Sequence, residues 1–168
     1  MSGAARLVAL VVGAATPDGR AALADLARPG ACLGLAGADA DDLAPLVLAA
    51  HDAGARATLL PGDLASAGMA ERVVDAMRNA FGRIDLVVIV ADARPVDPLG
   101  AESGRRALER AAVVPFLVLR EAGRLMAGAG GGRVVLVEPP GAPVSVAGLV
   151  RASGLEVTVA ERWPAGAC

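Results

Sequence analysis

Val12-Gly13-Ala14-Ala15-Thr16-Pro17-Asp18-Gly19-Arg20 closes the apolar run Leu7–Val12 and opens an amphipathic stretch. An apolar run without polar interruption suits a strand covered on both faces, as in a parallel sheet. The two glycines answer different needs: Gly13 suits a tight bend, and Gly19 lets a helix approach the strand closely. Between them stands Pro17, which has no N–H and a fixed φ, with the acid Asp18 beside it. The stretch therefore predicts strand, turn and helix, the helix running over Arg20–Ala27 and stopped by Pro29-Gly30.

Working outward, the same alternation repeats. Strands are expected at Leu7–Val12, Ala31–Ala36, Ala57–Leu60, Ile84–Val90, Arg133–Val137 and Glu156–Ala160. Helices are expected at Ala40–Ala53, with Asp39, Asp41 and Asp42 near its positive end, and at Met69–Phe81, whose apolar residues recur at helical spacing. A Pro-bearing loop then leads to a long helix, roughly Ser103–Met126, and Gly128–Gly132 is a connection before the fifth strand. A short stretch Val144–Arg151 precedes the sixth strand, soon after which the chain ends. The pattern is α/β: a single Rossmann-like domain over residues 1–168, with a doubly wound parallel sheet in order 3-2-1-4-5-6, truncated after the sixth strand.

Composition narrows the classes. The chain is 55% hydrophobic but only 2% aromatic, so its core must be built from Ala, Val and Leu. The net charge is −2 and the arginines are scattered, which argues against nucleic acid or an anionic membrane as partner. No apolar run is long enough to span a bilayer and no secretory leader is visible, so a cytoplasmic location is expected. Cys32 lies in an apolar run and reads as a small buried hydrophobe, and neither it nor Cys168 has metal-ligand spacing. No metal site is expected.

Several stretches together resemble the short-chain dehydrogenase/reductase family over roughly residues 6–160. The first turn is similar to that family's TGxxxGxG, with Val12 for its Thr and Pro17 for its middle Gly. Gly62-Asp63-Leu64 resembles the segment whose Asp holds the adenine ring. Phe81-Gly82-Arg83-Ile84-Asp85 resembles the FGxID lead into the fourth strand, Pro115-Phe116 sits in the long helix as is common there, and Gly132-Arg133-Val134-Val135 resembles GRIV. The resemblance implies NAD or NADP as cofactor, with Gly13, Thr16, Gly19, Arg20, Asp63, Leu64 and Ala91 as candidate contacts. Residue by residue, Asp63 equally suits a helix cap, and Gly13 and Gly19 equally suit the turn alone. Neither an acid nor an arginine stands at Gly37-Ala38, where the resemblance places the NAD/NADP selector, although Asp39 has the spacing of such an acid from Gly19.

The chemistry departs further. The resemblance implies an Asn–Ser–Tyr–Lys set, but those positions hold Ala111, Pro139, Ala142 and Val146, and the Asn-Asn-Ala-Gly motif has become Ile89-Val90-Ala91-Asp92. The chain has no tyrosine at all, and its 16 basic residues are all arginines. No catalytic residue is assigned. Glu138 is the best remaining acid–base candidate, Asp92, Arg94 and Asp97 suit an exposed polar loop, and Ser145 suits a helix start. His51 reads as a surface residue, and Trp163 as packing over a sheet edge rather than stacking a ligand. The expectation is a degenerate, shortened family member with weak or absent cofactor binding. It would act as a non-catalytic partner or regulatory subunit in a homo- or hetero-oligomer, with an intact reductase as a candidate partner. The rival expectations are an active NAD(P)-dependent oxidoreductase with atypical catalytic residues and a decayed gene product without function.

Overall fold

Runs rich in Val, Leu and Ala become strands where helices cover both faces of the sheet, because side chains alternate across it and both sets must be buried. The computed structural model describes residues 6–91, 101–138, 155–164 and 166, for 101–103 the backbone alone. Its strands are β1 (Val8–Val12), β2 (Cys32–Gly37), β3 (Arg56–Pro61), β4 (Leu86–Val90), β5 (Arg133–Val137) and β6 (Glu156–Ala160). All pair in parallel, in the order β3-β2-β1-β4-β5-β6 expected from the sequence. Every residue of β1 and β4 is buried, whereas the edge strands β3 and β6 are largely half-buried or exposed.

Helices α1 (Pro17–Leu26) and α2 (Ala40–Asp52) pack on one face, in a core with Ala9, Val11, Leu33 and Leu35. On the other face lie α3 (Met69–Phe81) and a long helical rod, in a core with Leu10, Val87, Val134 and Leu136. With few aromatics available, close approach replaces bulk. At Gly34 of β2 an added Cβ would overlap Met77 Sδ, so the missing side chain is what lets α3 sit against the sheet.

The long helix is not continuous. It comprises α4 (Ala101–Leu108), a π turn at Glu109–Val113 and α5 (Val114–Gly128). Pro115, early in α5, lacks the N–H that would bond the Ala111 carbonyl, and its ring would crowd that carbonyl in a regular helix. Widening the preceding turn relieves both problems.

The residues before β4 explain the Phe81–Asp85 motif without any ligand. The Asp85 carboxylate accepts the Val8 N–H at 2.9 Å, the Asp85 N–H donates to Val8 O at 2.8 Å, and Asp85 O accepts from Arg133 N at 2.9 Å. One residue thus clips β1, β4 and β5 together at their starts, so β4 begins at Leu86 rather than Ile84. Cys32 is free and fully buried in β2. Among the described residues no helix is long and apolar enough to cross a membrane. Asp92, Arg94 and Asp97, Pro139, Ala142, the stretch 144–151 with Ser145 and Val146, and Cys168 lie outside the described residues.

Candidate functional site

The strand-to-helix turn after β1 is built on Gly13 and Thr16. Gly13 has φ +76, and a Cβ there would stand 2.8 Å from Val90 O, so both conformation and space require glycine. Thr16 is extended at φ −72, ψ 160; its Oγ1 donates to Gly13 O at 2.7 Å and accepts the Gly19 N–H at 3.1 Å. It is the N-cap of α1, with Pro17 at the first helical position. The helix therefore starts at Pro17, not at Arg20 as expected. A hydroxyl cap followed by proline is a favoured helix start, since the missing N–H is one that the helix leaves unbonded anyway. Replacing Thr16 by alanine is expected to cost about 1 kcal/mol of stability, measured by urea unfolding.

This arrangement decides what the turn offers an anion. A helix start attracts anions through its unbonded N–H groups. Here Pro17 has none, the Gly19 N–H is taken by Thr16, and the Arg20 N–H donates to Thr16 O at 2.9 Å. Asp18, in the first turn, adds a carboxylate, which accepts the Trp163 N–H at 2.9 Å. This helix start therefore offers an anion fewer N–H donors, and one more negative charge, than a glycine-rich turn would.

A cleft of about 850 Å³ opens above the carboxyl ends of the inner strands, the place where open α/β sheets seat ligands. Of the candidate contacts, Gly13, Thr16, Asp63 and Leu64 line it. Asp63 caps its own turn, accepting Ala65 N–H at 3.1 Å and Ser66 O–H at 3.2 Å, so its capping role and its place on the cleft wall coexist. The Leu64 side chain is buried in the core. Gly19 is buried behind the turn, where a Cβ would overlap Gly13 O and crowd the Ala14 backbone. Arg20 is exposed on α1, its Nε donating to Ala15 O at 3.1 Å, and lies outside the cleft lining. Ala91 is also outside that lining, buried, its N–H extending the β4–β5 ladder to Val137 O at 2.9 Å.

The acid question at the end of β2 resolves into a wall. Asp39 is the N-cap of α2, accepting the Asp41 N–H at 2.8 Å, and both Asp39 and Asp42 line the cleft beside Gly37 and Ala38. Facing residues come from an element that sequence reasoning did not connect to the site. Arg105, Arg106, Glu109 and Arg110 line the cleft from α4 and the π turn, with an Arg105–Glu109 ion pair at 2.9 Å. The available signal was the four-residue spacing of Arg106 and Arg110, which puts two guanidinium groups on one helix face.

Ala111 is buried in the π turn and carries no polar side-chain atom. Glu138 follows β5, its N–H donating to Ala160 O at 2.9 Å, and is not part of the cleft lining. His51 is exposed at the end of α2, with Nε2 at 3.1 Å from Ala57 O. Among the described residues no group of three His, Cys, Asp or Glu side chains converges to hold a metal.

Comparison with known proteins adds the following. The family model for short chain dehydrogenases matches residues 7–156. An uncharacterized oxidoreductase of Mycobacterium tuberculosis is 35% identical over 133 residues, covering 76% of this chain and 48% of its own length. The chain thus spans about half the length of the relatives it matches. A short-chain type dehydrogenase/reductase from Mycobacterium ulcerans superposes with TM-score 0.70 at 27% identity, covering 79% of this chain and 51% of the other. A 3-ketoacyl-ACP reductase from Sinorhizobium meliloti superposes with TM-score 0.71 at 26% identity, covering 79% and 53%.

Proposed function

The chain belongs to the short-chain dehydrogenase family, and on that premise we propose that it is a non-catalytic member, a partner or regulatory subunit with weak or no NAD(P) binding. The observation that carries this reading is the absence of any tyrosine or lysine from its 168 residues. Carbonyl reduction needs a positioned proton donor of lowered pKa, and the family's donor and its supporting cation are those two residue types. Ala111, where the resemblance asks for an asparagine, supports the reading from the described residues. Pro17 and Asp18 at the start of α1 bear on the cofactor in the same direction, since the first removes an N–H donor and the second adds a negative charge where a dinucleotide's phosphates would lie.

The partner role is supported by the long helical rod. Leu108, Val113 and Phe116 are exposed along it, Phe116 at 45%. Exposed large hydrophobics clustered on one element suit a protein surface more than water.

Calorimetric titration with NADH and NADPH, together with a ketone-reduction assay, tests the catalytic half. The expected outcome is no turnover, and cofactor affinity no tighter than millimolar. Enzymatic turnover lost on changing one cleft side chain would instead establish an oxidoreductase with atypical catalytic groups. Gel filtration tests the partner half, and a clean monomer that binds no apolar dye would defeat it.

A further inference from the structure

β3 is an edge strand: among the described residues it pairs only with β2. In a parallel pair, successive residues turn their main-chain N–H and C=O alternately toward the paired strand and away from it. The Arg56 N–H donates to Ala31 O at 2.8 Å and the Gly62 N–H to Gly37 O at 2.9 Å, so the even-numbered residues face β2. Ala57, Leu59 and Pro61 therefore turn their main-chain groups to the open edge. This outward row has two defects. Pro61 has no N–H to give. The Ala57 carbonyl is already taken by His51, whose Nε2–H donates to it at 3.1 Å. Each defect alone blunts the edge toward an ordinary strand.

Together the two defects match each other. Leu59 lies midway between Ala57 and Pro61, so an antiparallel pairing centred on Leu59 sets Ala57 opposite Pro61 twice. We propose that β3 pairs edge to edge with β3 of a second copy of this chain, about a two-fold axis at Leu59. The two Leu59 residues exchange both main-chain bonds, and each Ala57 N–H donates to the Pro61 carbonyl opposite. The Ala57 carbonyl, facing a proline without an N–H, needs no donor from the other copy because His51 supplies one. No main-chain group of the row is then left unmet. A strand of another sequence would set an N–H opposite Ala57, in competition with His51, unless it too carried proline there; this selects a second copy as the occupant. Leu59 is exposed in the single chain and gains its counterpart on the same face of the joined sheet. So small an isologous interface suits a transient dimer. The inference goes beyond the regulatory reading and uses none of the exposed side chains of the helical rod.

The test is sedimentation velocity of the 168-residue protein over a range of concentrations. Monomer and dimer in exchange are expected, with a dissociation constant on the order of 100 μM. Leu59→Lys sets like charges opposite each other at the two-fold and should weaken association at least about tenfold. His51→Ala leaves the Ala57 carbonyl without a donor in the dimer and should weaken it about fivefold. Adding Pro61→Val to His51→Ala supplies the missing N–H, and should bring the affinity back to within about threefold of the unaltered protein. Should the variants fold poorly, amide exchange in the unaltered protein gives a second reading. Exchange of the Ala57 and Leu59 N–H groups should slow at least about threefold from dilute to concentrated solution. The Val157 and Val159 N–H groups, turned away from β5 on the other edge strand, should show no change. A protein still monomeric at roughly tenfold the expected dissociation constant, folded His51→Ala without effect or without rescue by Pro61→Val, or slowing at Val157 and Val159 instead overturns the inference. Association that survives Leu59→Lys defeats the inference alone and leaves the partner role of the helical rod standing.

Discussion

Leu10→Ala is expected to lower stability by about 3–5 kcal/mol, in the upper part of the range for leucine truncation in a core. Leu10 is fully buried in the middle of β1, between Gly34 on β2 and Val87 on β4. A strand held by ladders on both sides cannot move into the void. Its neighbour Gly34 has no side chain to swing in, which leaves Met77, packed over Gly34, as a side chain that could fill part of the void. Domains of this size have stabilities of roughly 5–15 kcal/mol, so the variant should unfold at much lower urea or fail to accumulate. Leu48→Ala is the control: that side chain is 63% exposed, and the change should fall within about 0.5 kcal/mol of zero. Equal midpoints for the two variants would mean that β1 is not at the centre of the core.

Trp163→Ala is expected to cost about 3–5 kcal/mol, the range for deleting a large aromatic from a core. Trp163 is the single tryptophan, and it is buried in the cluster that holds Ala22, Leu23 and Leu26 of α1 together with Val135 and Val137 of β5. Its indole N–H donates to Asp25 at 2.7 Å, and its backbone N–H donates to Asp18 at 2.9 Å. The segment after β6 is thereby strapped along α1. Trp163→Phe keeps the buried ring and loses only the indole donor, so it should cost less, about 1–3 kcal/mol. Because this indole is the sole tryptophan fluorophore, its emission in the native protein should be blue-shifted and shift red on unfolding. A native spectrum already at the solvent-exposed position would show that the strap is not formed.

The site was legible unevenly, for identifiable reasons. Gly13 and Gly19 were readable because sterics alone set their needs: a positive φ at one and a close helix approach at the other. Thr16-Pro17 was equally readable as a cap and first helical residue. Reading it as a damaged glycine turn places the helix start too late, at Arg20 rather than Pro17. Pro115 carried the sign of an interrupted helix. Asp63 left two readings open, and both hold, because an aspartate can cap its own turn and still face a cleft.

Local chemistry written in the chain was enough to indicate the sheet, since short, uninterrupted Val, Leu and Ala runs alternating with longer amphipathic stretches suit inner parallel strands covered by helices. It also shows that these 168 residues contain no tyrosine and no lysine. Tertiary structure alone decided that arginines from the long helix share a cleft with aspartates that follow β2 and β3, and that Trp163 returns to α1. Those meetings join residues far apart in sequence. Only the folding of the helical rod and the final segment onto the sheet sets their distances, and neither periodicity nor composition encodes that packing.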